Sequence, residues 1–417
     1  MCTGAARAGT GGRLMPSYVP VPLDRVQFGK PVPVDVWSPS GILLLRRGQQ
    51  LQSAAHRDKL SNHHACMTES DAMAWQRSLE RIMRAVYLDG GDMSLLDQMP
   101  LPTEIVEQDY LPGHEVHGGW LDLQDILRGV LYQGEAAVSP MPRLQALEDK
   151  ALKLAQEDAD EGLFILMQTL PDLHLGYCAT HALLCGLVCV LSADKLGLPP
   201  HTHPTLMRAA MVMNIGMARL QDSLAQQHAQ PNEAQRHAID EHAELGVHIL
   251  QTVGEQRQSV LDLVRGHHLP DTSDLQGHSL TMLQLLHLSD VLMAKMAPRK
   301  VRAALLPLTA TKSMVMQSTE TTAGLRRAIA SALGFYPPGS YVALASGETA
   351  VVISRGARAN TPHVAAITNA SGLALGKYLY RDTSHTEQAV KSPLEPHTVH
   401  VTVNPQKVRQ LRQHYGV

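Results

Sequence analysis

Five side chains suited to holding a divalent metal sit in otherwise apolar, helix-patterned stretches of this sequence: His181, His242, the adjacent His267 and His268, and Asp290. Imidazole and carboxylate groups together suit ions such as Zn, Fe or Mn. Tyr177 stands one helical turn before His181, and Met213-Asn214 lies between the first histidine and the second. Two adjacent imidazoles at a helix end converge on one ion only if their surroundings hold them. The chain has 22 histidines, so each one alone reads equally as a core or surface residue. Cys178, Cys185 and Cys189 share a helical stretch with His181. They read either as part of a Cys-His site or as small buried apolar side chains. Glu241 and Glu244 flank His242, and Asp271 follows the histidine pair; these read as solvated helix-face or cap residues. Met207, Met211, Met213 and Met217 repeat at roughly helical spacing, a core pattern in a chain with only three Phe.

The elements that must position these groups are mostly helices. From 143 to about 335, apolar residues recur at helical spacing, beginning with Leu144, Leu147, Ala151 and Leu154. Further helices are expected over 174–195, 202–221, 233–253, 256–267, 278–296 and 319–333. Before this block, 1–16 reads as a disordered lead. Residues 17–88 read as a small β-rich unit whose short, Pro-containing strands precede a helix over 69–88. Residues 89–142 read as linker and packing segments with a short helix near 120–132. After Gly334 the period changes. YVALAS and TAVVIS alternate on either side of Gly347-Glu348 as a hairpin, and HVAAITNASGLAL adds a strand and turn. This β appendage spans 336–382, and 383–417 reads as a polar tail with one VHVTV strand.

Composition bounds the function. Net charge is −3 with no block of like charge, which argues against a nucleic-acid or polybasic membrane surface. Five cysteines without a CxxC pair fit a reducing, cytoplasmic setting. The longest apolar run, Ala182 to Leu191, is shorter than the roughly 18 residues a membrane span needs.

The order of motifs resembles the bacterial HD-GYP family, a subset of the HD metal-dependent phosphohydrolases. The matching segments are YCATHALL, AAMVMNIGM at 209–217, DEHAELGVHIL at 240–250, VRGHHLPD at 264–271 and LSDVLMAK at 288–295. GFYPPGSYVALASGETAVVISRG resembles the β segment that often closes this family, and the N-terminal β unit resembles a leader of some degenerate members. The resemblance implies a mainly α fold: an HD-type all-helical bundle with a small N-terminal β-rich unit and a short C-terminal β appendage.

Carried over by resemblance, a first metal would be held by His181, the His-Asp pair of the family and Asp290. A second would be held by the same bridging Asp with His242, His267 and His268. Here the pair is Met213-Asn214, the Lys after IG is Met217, the Glu after HH is Leu269, and GYP is absent around 272–278. Two cations sharing a hydroxide need an anionic bridge, and Asn214 offers a neutral amide instead. A soft Met213 thioether suits Cu(I) rather than Zn, Fe or Mn. No residue is assigned a confident catalytic role. The expectation is a non-catalytic, regulatory protein of cyclic-di-GMP-type signalling, with at most one divalent metal at a remnant site of His242, His267, His268, His181 and Asp290. Its partners would be a cyclic dinucleotide or a signalling protein, with homo-oligomerisation a further expectation. The alternatives are a residual metal-dependent phosphodiesterase and a structural oligomerisation module.

Overall fold

A computed structural model describes residues 18–40, 42–88, 100–105, 118–173, 175–269, 274–300 and 302–417. The expected lead over 1–16, the linker residues 89–99 and 106–117, and Asp271 lie outside them. The chain forms two compact units, one drawn from Met1–His114 with Ala136–Ser139, the other from Glu115–Glu135 and Pro140–Val417.

The first unit holds β1 (Tyr18–Pro20), β2 (Val36–Trp37), β3 (Leu43–Leu45), α1 (Ala54–Asn62), β4 (Cys66–Thr68) and α2 (Glu69–Leu88). Its antiparallel sheet runs in the order β1-β4-β2-β3 over a core including Val34, Val36, Leu51 and Trp75. Trp75 donates its indole N–H to the Pro102 carbonyl at 2.8 Å. Periodicity does not announce α1, because Leu60 is its one buried residue. The helix is started by Ser53, whose hydroxyl accepts the His56 N–H at 3.2 Å.

The second unit is mainly helical. It comprises α3 (Trp120–Gln133), α4 (Pro140–Thr169), α5 (Tyr177–Leu196), α6 (Thr202–Val212), α7 (Ala218–Gln226), α8 (Glu233–Thr252), α9 (Gln258–Gly266), α10 (Gly277–Met296), α11 (Pro307–Met316) and α12 (Ala323–Leu333). Helix α5 is apolar on all sides and forms the axis of the bundle, packed by α4, α6, α10 and α12. By length and composition it could cross a membrane, contrary to the expectation from its shorter unbroken apolar run; 89% of its apolar window is buried by its neighbours. Helix α11, unforeseen in the sequence, starts at Pro307, where the ring fixes φ and no N–H is lost to the ladder.

The single helix expected over 202–221 is in fact broken. It ends at Val212, and a 3-10 turn over Ile215–Met217 precedes α7. The cause is close packing against α8: a Cβ at Gly216 would lie 2.3 Å from the His242 carbonyl oxygen and 2.9 Å from the Gly246 nitrogen. Glycine lets the two backbones meet, which fixes the turn carrying Met213-Asn214 against the turn carrying His242.

The C-terminal sheet is five-stranded and antiparallel: β5 (Tyr341–Leu344), β6 (Thr349–Ser354), β7 (His363–Thr368), β8 (Ala374–Asp382) and β9 (Val390–Leu394), in the order β8-β7-β6-β5-β9. The hairpin at Gly347-Glu348 forms as expected, with Val342 opposite Ala350. The segment after 383 differs from its reading as a polar tail. VHVTV is not a strand; Val390–Leu394 is, and it pairs with β5. Helix α13 (Pro405–Tyr415) then buries Val408 against the sheet, with Asn404 capping its first turn.

Candidate metal centre

His242 lies mid-way along α8, while His267 and His268 follow the last turn of α9. Local backbone fixes two of the rings. The His242 Nδ1 donates to the Ile239 carbonyl, and the His267 Nδ1 donates to the Val264 carbonyl at 2.7 Å. Each bond spans three residues, so it comes from the helical turn itself. With Nδ1–H engaged, each neutral ring presents an Nε2 lone pair. These lone pairs converge: His242 Nε2 is 3.3 Å from His267 Nε2 and 3.3 Å from His268 Nε2. Three nitrogens about 2.0–2.1 Å from one tetrahedral ion would stand roughly 3.3–3.4 Å apart, so the spacing fits.

Burial keeps the cluster neutral. His242 and His267 are fully buried, and His268 is exposed on the outer side. Burial and the neighbouring His268 push the His267 imidazole down to about 3. Burial also pulls His242 and His268 below the usual histidine range. Three uncharged donors, one on the protein surface, make a set that could hold one ion with a side open to solvent.

A second group lies on α5 and α10. Tyr177, His181 and Cys185 stand at successive i, i+4 positions and so form a column on one face. The His181 Nε2 is 2.8 Å from an Asp290 carboxylate oxygen and 3.6 Å from the Cys185 sulfur, and its Nδ1 meets the Tyr177 hydroxyl at 3.1 Å. Burial alone would raise the Asp290 pKa. The His181 hydrogen bond outweighs that and holds it well below the usual carboxylate range. Asp290 is therefore an anion within electrostatic reach of both groups. Burial, with Asp290 nearby, pushes the Cys185 thiol well up, so it is a protonated neighbour there.

The three cysteines of α5 do not share a site. Cys178 donates its backbone N–H to Asp222 at 2.6 Å, and Cys189 meets the Ser289 hydroxyl at 3.4 Å. Glu241 pairs with His237 at 3.2 Å and Glu244 with Arg265 at 3.1 Å, both on the surface. Met207, Met211 and Met213 are buried, Met217 is half-buried, and Leu269 is exposed. Asn214 is the anomaly. It is only 4% exposed, yet neither its Oδ1 nor its Nδ2 has a hydrogen-bond partner.

One positioning residue escaped the sequence reading. His287 lies one turn before Asp290 on α10, and its Nδ1 bonds the His267 carbonyl at 2.7 Å, anchoring the turn that carries His267-His268. Its i, i+3 relation to Asp290 was the available signal.

No known family and no curated protein matches the chain. Among solved structures, Bd1817, a HDG"Y"P protein from Bdellovibrio bacteriovorus, is similar at 14% identity and a TM-score of 0.38, covering 75% of this chain and 98% of that one. At that level of likeness, any account of the centre rests on its own side chains.

Proposed function

We propose that this chain is a non-hydrolysing, regulatory relative of HD-GYP proteins, one that holds a single divalent transition metal and binds a cyclic dinucleotide. The observation that carries the reading is the convergence of three neutral Nε2 atoms at 3.3 Å spacing, with two of the rings locked by backbone carbonyls. When bound, such an ion supplies Lewis-acid attraction for a phosphoryl oxygen. His242, His267 and His268 would hold it, and the exposed side at His268 leaves room for a ligand.

Cleavage is disfavoured by what surrounds the cluster. By resemblance, Asn214 stands where a bridging carboxylate would be, and an amide brings no negative charge to two cations. Met217 stands where a lysine would meet substrate phosphate. Asp290, though ionised, is tied to His181 at 2.8 Å. That same pair is what favours the second reading, a residual phosphodiesterase, because it puts an ionised carboxylate and an imidazole side by side.

Elemental analysis of the purified protein, calorimetry with cyclic-di-GMP and a turnover assay together test the proposal. The expected result is about one metal per chain, lost in His267→Ala, with ligand binding and no product. Metal-dependent hydrolysis that disappears in His267→Ala would establish the second reading in its place. A metal-free protein would remove both.

A further inference from the structure

Elsewhere in the helical unit, a cavity of about 90 Å³ opens where the end of α5, the end of α12 and the β6–β7 loop meet. Its wall carries three cations, Lys195, Arg355 and Arg358, with the Ser331 hydroxyl and the Tyr336 ring, and no carboxylate. Arg355 is already used: it pairs with Asp160 at 2.5 Å and donates to the Ala332 carbonyl at 2.7 Å, where it caps the end of α12. Lys195 and Arg358 are exposed, and among the described residues their side chains have no ion pair or hydrogen bond. The loop adds main-chain donors. Among the described residues, the N–H groups of Gly356, Ala357 and Arg358 have no backbone acceptor. The loop is also held in one shape, since a Cβ at Gly356 would lie 1.7 Å from the Thr361 carbonyl oxygen.

Two unpaired cations beside a loop with uncommitted N–H groups, at a hollow lined by no carboxylate, are the parts of an anion site. The volume far exceeds the roughly 10–15 Å³ that one ordered water needs on this measure, so it has room for a phosphoryl group. We propose that this pocket binds the phosphate of a small phosphomonoester, whose charge of about −1.5 to −2 at neutral pH answers Lys195 and Arg358. The rest of the ligand would extend out of the pocket mouth. The site is independent of the metal centre.

The test is an amide-resolved NMR titration at low salt with inorganic phosphate, glycerol phosphate and dimethyl phosphate. The first two should shift the Gly356 and Ala357 amides in the wild-type protein and in His267→Ala. The Lys195→Glu/Arg358→Glu double variant, altered at two exposed positions, should keep its fold and bind at least tenfold more weakly. Dimethyl phosphate, a singly charged diester, should also bind at least tenfold more weakly. The proposal fails if phosphate leaves the loop amides unmoved, if the double variant binds equally well, if binding is lost in His267→Ala, or if the diester binds as tightly as the monoester.

Discussion

Two clusters of polar side chains are buried in the helical unit, and they solve the problem of burial in opposite ways. Arg208 on α6 is fully buried. It makes ion pairs with Glu148 and Glu255, each at 2.9 Å, while Arg257 pairs with the same carboxylates at 3.0 and 3.1 Å. Two cations and two anions cancel, and they link α4, α6 and the start of α9, which also share the apolar core. The His242-His267-His268 cluster has no such balance. Its rings are neutral, their Nε2 atoms stand 3.3 Å apart, and no cationic side chain is paired with them among the described residues. The first network is complete without any addition. The second becomes favourable when a cation enters, and this difference separates a structural element from a binding site.

Breaking the self-sufficient network should have the largest effect. Arg208→Ala leaves two buried carboxylates short of charge and is expected to cost about 3–5 kcal/mol in urea unfolding. A loss below 1 kcal/mol would mean that the network is dispensable. The metal cluster should behave inversely. Zn²⁺ at a hundredfold excess over its Kd should stabilise the protein by about 2.7 kcal/mol, and His242→Ala should abolish that gain while changing the metal-free protein far less than Arg208→Ala does. Equal stabilisation of the variant would place the ion elsewhere.

Acid should discriminate next. His267 titrates at about 3 when folded and near 6.5 when unfolded, so the unfolded chain binds more protons in that window. Stability of the metal-free protein is therefore full above pH 6.5 and falls as pH drops toward 3, by on the order of 2 kcal/mol between pH 6.5 and pH 5 from this residue. In His267→Gln the slope over that window should flatten, and an unchanged slope would refute the buried neutral ring. The smallest effect is expected at Asn214. Asn214→Leu removes two buried polar atoms without partners and should raise metal-free stability by about 1 kcal/mol. A loss of more than 1 kcal/mol would show that the amide has a partner.

Much of this was legible in the sequence because it depends on local periodicity. The α5 column of Tyr177, His181 and Cys185 follows from spacing on one helix, as does the hairpin around Gly347-Glu348. The adjacency of His267 and His268 is likewise written in the chain. What stayed hidden was short or depended on distant partners. Helix α1 has too little apolar patterning to be read, and β9 is recognisable only by its pairing with β5. The break at Met213-Met217 needs the His242 carbonyl 26 residues beyond Gly216 to explain it.

The sequence by itself determined a mainly helical chain with a β segment near its end, the residue types available to a metal, and an uncharged pair at Met213-Asn214. Those are properties of side-chain chemistry and of 3.6- and 2-residue periods. Only the tertiary structure decided that three histidines meet through Nε2 while His181 turns to Asp290 and Cys185 instead. That choice depends on which carbonyl each Nδ1 finds, on the glycine contact that seats the Asn214 turn against α8, and on His287 reaching back from α10. Distances of a few ångströms between separate helices set all three, and no spacing along the chain contains them.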